Sequence, residues 1–136
     1  MQSTGPKLQC PACGNATASF GLGIELPPDN WNDEIVLACL FCADCPFQAV
    51  AVYRESRHGR LDSESFSQTG YRAPEDVCEQ LKTAIANCPE PRNRGCRCPS
   101  HRMLGAQDLQ GDWDWLSRSG IDTSPTFAIQ SQNPPA

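Results

Sequence analysis

Cys10-Pro-Ala-Cys13-Gly14 and Cys39-Leu-Phe-Cys42-Ala-Asp-Cys45 bracket the stretch whose reading decides how this chain folds. A Cys-x-x-Cys turn sets two thiolates on one side of a tight loop. Two such turns close a tetrahedron around Zn²⁺, a d¹⁰ ion that asks only for four soft or borderline ligands. Cys10 and Cys13 form the first pair. The second is drawn from three cysteines: Cys42 with Cys45 is preferred, because Cys39 then falls inside an apolar run as a buried thiol, and Cys39 with Cys42 is the alternative.

Between the turns the chain has strand character. Residues 17 to 26 alternate, with Ala18, Phe20, Leu22, Ile24 and Leu26 on one side and Thr17, Ser19, Gly21, Gly23 and Glu25 on the other, which predicts a half-buried strand. Pro27 to Asp33 breaks it as a loop. Residues 34 to 41 form an almost unbroken apolar run, as expected of a central strand buried on both faces, and a third strand follows Pro46, with Phe47, Ala49, Ala51 and Tyr53 opposed to Gln48, Val50, Val52 and Arg54.

Turn, strand, strand, turn, strand is the order of a zinc ribbon, and over about residues 8 to 55 the sequence resembles the zinc-ribbon superfamily through Cys10, Cys13, Cys42 and Cys45. Members of that superfamily occur in RNA polymerase subunits, transcription elongation factors, ribosomal proteins and many small bacterial proteins. The resemblance implies a three-stranded antiparallel ribbon. The chain departs from the pattern at Cys39, which precedes the second turn, and at Pro46, where glycine often follows the last ligand.

A chain of 136 residues suits one domain, placed here at 8–123, with a flexible 1–7 before it and a disordered tail at 124–136. Only 39% of its residues are hydrophobic, so cross-links must help the core, and nine cysteines supply them. Disulfides explain them poorly: the count is odd, the spacing is metal-like, and Met1 to Lys7 has no apolar run of the secretory kind. The expectation is a reduced, cytoplasmic protein. No apolar run approaches the roughly 18 residues of a membrane span.

The formal charge of −5 is uneven: residues 1–46 carry one base against five acids, and residues 92–136 carry five bases against four acids. A four-thiolate zinc centre adds two negative charges and a centre of three thiolates and one imidazole adds one, which takes −5 to −8. Such a balance disfavours non-specific binding of nucleic acid.

Residues 54 to 73 read as a surface loop or an irregular strand pair, and His58 within them as a solvated histidine. A helix is predicted from Pro74 to about Asn87: proline suits the first helical position, Glu75 and Asp76 complement the dipole, and Val77, Cys78, Leu81, Ala84 and Ile85 recur at helical spacing. Cys78 thus belongs to the core. The helix delivers the chain to Cys88, Cys96, Cys98 and His101, on a loop rich in Pro and Gly with no predicted secondary structure, where a second Zn²⁺ would hold the three thiols and the imidazole. Partly free thiols are the alternative there. Cys98 with His101 could also form a thiolate and base, activated by nearby arginines.

Arg92, Arg94, Arg97 and Arg102 make the one local basic patch, with no acid between residues 91 and 107. They suit either hydrogen bonds to metal-bound thiolates or the docking of an anion. A short helix is expected over 111–118, with Gly120 past its end and Trp113 and Trp115 as anchors onto the body; either becomes a partner-binding candidate if exposed.

The fold class expected is therefore α+β: a three-stranded antiparallel zinc ribbon, a helix, a second Cys/His metal loop and a short C-terminal helix. The function expected is a non-catalytic zinc-binding module that engages another protein. A nucleic-acid or transcription-related factor using the Arg92–Arg102 loop is the alternative, and a thiol-dependent enzyme the third.

Overall fold

The computed structural model describes residues 8–28, 34–56, 65–121 and 126–129. They form an α+β fold built on one antiparallel sheet. In chain order the elements are β1 (Ala18–Leu26), β2 (Glu34–Cys42), β3 (Gln48–Ser56), β4 (Ser65–Arg72), α1 (Glu75–Ala86), α2 (Pro99–Leu104), α3 (Trp115–Ser119) and β5 (Thr126–Ala128). The strands lie in the order β1-β2-β3-β4-β5, so each pairs with its neighbour in sequence and no crossover is needed.

The first three strands fall where the hydrophobic pattern put them, but the sheet has five strands rather than three. Residues 54 to 73 supply β4, which pairs with β3 from Ala49↔Arg72 to Ser56↔Ser65. Thr126–Ala128, inside the stretch read as a tail, adds β5 along β4 and brings Phe127 opposite Gly70. A Cβ on Gly70 would overlap the far end of the Phe127 ring, so glycine is what lets that ring lie over the Gly70 backbone. His58, residues 1–7 and most of 124–136 lie outside the described residues.

The strict alternation read into β1 is wrong, for a definite reason. Phe20 pairs with Leu40 while Gly23 pairs with Ala38, so Gly21 and Leu22 together oppose the single Cys39. This one-residue bulge reverses the facing of everything beyond it. Ala18 and Phe20 join Leu40, Cys42, Phe47, Ala49 and Ala51 on one face, whereas Ile24 and Leu26 join Ile35, Leu37, Cys39, Val50 and Val52 on the other. Leu22, at the bulge, is 70% exposed. β2, buried on both faces, is the hydrophobic strand expected.

α1 packs on the second face through Val77, Cys78, Leu81, Ala84 and Ile85. Burying five such residues removes enough apolar surface to contribute several kcal/mol, at about 25 cal/mol per Å². It runs from Glu75 to Ala86, close to its predicted span. α3 begins later than expected, at Trp115, and ends at Gly120, whose φ of 82° suits glycine. Trp115 is buried beside Leu104 and Leu116, and Trp113 donates its indole N–H to the Leu104 carbonyl at 2.6 Å, so both tryptophans anchor this corner to the body.

Candidate metal centres

Two clusters of potential ligands form at opposite ends of β1. In the first, Cys10 and Cys13 come from the turn before β1, Cys42 is the last residue of β2, and Cys45 lies in the turn to β3. Their four sulfurs all lie within 4.8 Å of one another. Sγ of Cys10 is 3.7 Å from that of Cys45, and Sγ of Cys13 is 3.7 Å from that of Cys42. A tetrahedron with Zn–S bonds near 2.3 Å has sulfur–sulfur edges of about 3.8 Å, whereas a disulfide needs about 2.05 Å. All nine cysteines are free.

Local sequence explains the turns. Gly14, with φ of 80°, donates its N–H to the Cys10 carbonyl at 2.8 Å. A residue with a Cβ would be strained there. The Ala12 N–H points at Cys10 Sγ (3.4 Å), and the Asp44 N–H at Cys42 Sγ (3.3 Å) favours the thiolate form of Cys42. Asn15 Nδ2 bonds Asp44 Oδ2 at 3.3 Å and ties one turn to the other. Cys39 is not part of this cluster: it is buried against α1, with its Sγ 3.5 Å from the Cys78 carbonyl.

The second cluster joins Cys88, just past α1, with Cys96, Cys98 and His101. Cys88 and Cys96 sulfurs are 3.9 Å apart, and His101 Nδ1 lies 3.2 Å from Cys88 Sγ and 3.4 Å from Cys98 Sγ. The segment expected to lack secondary structure contains α2. Its signal was Cys98-Pro99: Cys98 is the N-cap, its sulfur accepting the His101 N–H at 3.4 Å, and Pro99 opens the helix. One helical turn therefore places Cys98 and His101 side by side.

His101 is also bonded from behind, which the sequence did not reveal. Its Nε2 lies 3.0 Å from the Glu25 carbonyl, which can only accept, so Nε2 carries the hydrogen and the Nδ1 lone pair faces the thiols. The Glu25 N–H in turn donates to the Pro91 carbonyl at 2.8 Å. β1 is an outer strand of the sheet, and at Glu25 the second cluster occupies its open edge. At the other end, Leu8 exchanges two backbone hydrogen bonds with Ala18, and Thr17 Oγ1 lies 3.1 Å from Cys42 Sγ.

The thiols of each cluster pull one another's acidity apart. The Thr17 hydroxyl, against some desolvation and with help from the Asp44 and Cys45 N–H groups, holds Cys42 down to about 6. For Cys45 the Phe47 N–H favours the thiolate, but burial and the thiols of Cys42, Cys10 and Cys13 outweigh it and push the group up to about 12. In the second cluster burial pushes Cys88 up to about 12, reinforced by Cys98 and Cys96. Burial also opposes ionisation of Cys98, yet the adjacent His101 ring, the His101 backbone N–H and the neighbouring thiols of Cys88 and Cys96 outweigh it and bring that thiol down to about 6. Sulfurs this close cannot all ionise unaided; a divalent cation among them removes that conflict.

Each set thus offers four donors, four sulfurs in one and three sulfurs and an imidazole in the other, all within 4.8 Å of one another, an arrangement compatible with one tetrahedral ion. Either could hold a metal ion. Cys39 and Cys78, the two cysteines outside them, are core residues at 3% and 0% exposure. Among the described residues no helix is long and apolar enough to cross a membrane. No protein-family profile matches the chain, and neither a curated protein nor a solved structure matches it, so the geometry of the two donor sets carries the functional reading.

Proposed function

We propose that this chain is a non-catalytic zinc module of a reducing, cytoplasmic compartment. One Zn²⁺ is held by Cys10, Cys13, Cys42 and Cys45 in a ribbon-like centre, the other by Cys88, Cys96, Cys98 and His101, and the surface they stabilise binds another protein. The single observation that carries this is the completeness of both donor sets. A catalytic zinc keeps a position open for water or substrate, while four protein ligands close the shell.

Donor chemistry supports zinc in particular. Thiolates with or without one imidazole in tetrahedral array suit Zn²⁺, whereas magnesium and calcium want oxygen. Structural zinc contributes about 10 to 16 kcal/mol of apparent binding energy in small zinc domains, which exceeds the whole net stability of many domains. The two ions would brace β1 at both ends, one through Thr17 and Ala18, the other through Glu25.

A thiol enzyme is the weaker reading, since the two cysteines outside the centres are buried. The test is metal analysis of the purified chain, followed by partner capture from its own cells before and after chelation. Two zinc ions per chain and a partner lost on chelation are expected; substrate turnover by the holo-protein with no partner retained would contradict the reading.

A further inference from the structure

The cations of this molecule are not distributed as its charge balance would suggest. Among the described residues, Lys82 pairs with Glu79 at 3.3 Å, Arg118 pairs with Asp114 at 3.5 Å, Arg72 lies over the Phe47 ring, and Arg54 and Arg92 have partners of their own. Arg94, Arg97 and Arg102 are exposed, and among the described residues their guanidinium groups have neither a hydrogen bond nor an ion pair. They do not donate to the cluster sulfurs, which meet backbone N–H groups and His101 instead. Offsetting the thiolate charge by direct contact is therefore not their role.

All three sit on the second cluster's scaffold. Arg97 lies between Cys96 and Cys98, Arg94 two residues before Cys96, and Arg102 directly after His101, so each is within two peptide units of a side chain held in a 4.8 Å cluster. Three unpaired guanidinium groups are thus presented from one small rigid body in a protein of net charge −5. On the same scaffold an open groove of about 460 Å³ runs between α1 and α2, with Pro99, Ser100 and Met103, the residue after Arg102, at its α2 wall. Met103, next to Arg102, is 39% exposed. At α1 the groove is lined by Asp76 and Glu79.

We propose that this loop and groove bind an acidic segment of a partner protein, its carboxylates on Arg94, Arg97 and Arg102 and an adjoining apolar side chain against Met103. The inference rests on the zinc-module reading and names the partner's chemistry. Guanidinium forks match carboxylates in pairs, and the carboxylates of Asp76 and Glu79 turn the acidic part of the segment toward the arginines. A long polyanion fits less well. It would lie against an acidic body in which, among the described residues, Arg94, Arg97 and Arg102 are the unpaired cations that could neutralise its phosphates, and no aromatic residue is interleaved with these arginines to stack its bases.

The test uses the full chain, with metal content counted by native mass spectrometry in every sample. Its probe is a fluorescein-labelled peptide of about eight glutamates ending in two leucines, compared with a mixed-sequence single-stranded RNA oligonucleotide, each at about 50 and 200 mM salt. The peptide is expected to bind, to weaken with salt, and to lose about tenfold or more in affinity to the variant carrying Arg94→Gln, Arg97→Gln and Arg102→Gln. Met103→Ser should weaken it further without changing the salt dependence. No peptide binding, equal binding by the triple variant, or tighter binding of the RNA than of the peptide would each overturn the inference. Two ions with no peptide bound would remove this surface and leave the centres; peptide bound by folded, metal-free protein would remove the centres and leave the surface.

Discussion

Replacing His101 separates the two jobs this side chain does. It is 1% exposed, faces Cys88 and Cys98 with Nδ1 at 3.2 and 3.4 Å, and bonds the Glu25 carbonyl with Nε2 at 3.0 Å. His101→Cys supplies a fourth sulfur but cannot reach back to Glu25. His101→Ala removes the ligand as well. Leaving this part-buried carbonyl without its donor costs about 1–3 kcal/mol. With a urea m-value of about 2 kcal/mol per molar, His101→Cys should lower the unfolding midpoint by roughly 0.5–1.5 M at fixed free Zn²⁺ while two ions remain bound. His101→Ala should lose one ion, fall further in stability, and release the Glu25 amide to hydrogen exchange, because Pro91, its acceptor, belongs to the loop the ion holds. An alanine variant that keeps both ions, or whose midpoint and Glu25 exchange match those of the parent, would refute the idea that this imidazole joins a metal centre to the edge of the sheet.

Other consequences follow from the same geometry. Leu22→Ser should change stability by no more than about 0.5 kcal/mol, whereas Ile24→Ala, two residues on, should cost about 2–5 kcal/mol; equal costs in chemical denaturation would mean that the bulge is absent. Gly70→Ala should displace the Phe127 ring, cost about 1–3 kcal/mol, and speed exchange of the Ile129 amide, which donates to the Gln68 carbonyl; unchanged exchange would dissociate β5 from that glycine. Alkylation of the native protein should label no cysteine quickly, and chelator with denaturant should expose all nine, as read by mass; rapid native labelling of Cys39 or Cys78 would contradict their burial.

Much of this architecture was legible because the signals were local. The near-continuous apolar run of β2, the helical spacing from Val77 to Ile85, and the two Cys-x-x-Cys turns each specify their own structure through periodicity or ligand spacing. What escaped were consequences of single residues acting across the chain. Gly21 and Gly23 on either side of Leu22 were the available sign of a bulge, but counting alternate residues cannot show that one of them is extra. β4 is polar and glycine-bearing, Ser-Phe-Ser-Gln-Thr-Gly-Tyr-Arg, and becomes a strand because β3 offers it an edge, a tertiary cause that propensity does not register. The bond from His101 to Glu25 spans 76 residues. No short-range pattern carries it.

The central claim is that two metal ions complete this fold, and the mass of the intact protein tests it most directly. Native mass spectrometry compared with the denatured mass should show two Zn²⁺ per chain, with the protein unfolding at least partly when they are chelated. A fully folded chain that carries no metal, or whose mass is lowered by hydrogen loss to sulfur–sulfur bonds, would contradict the account.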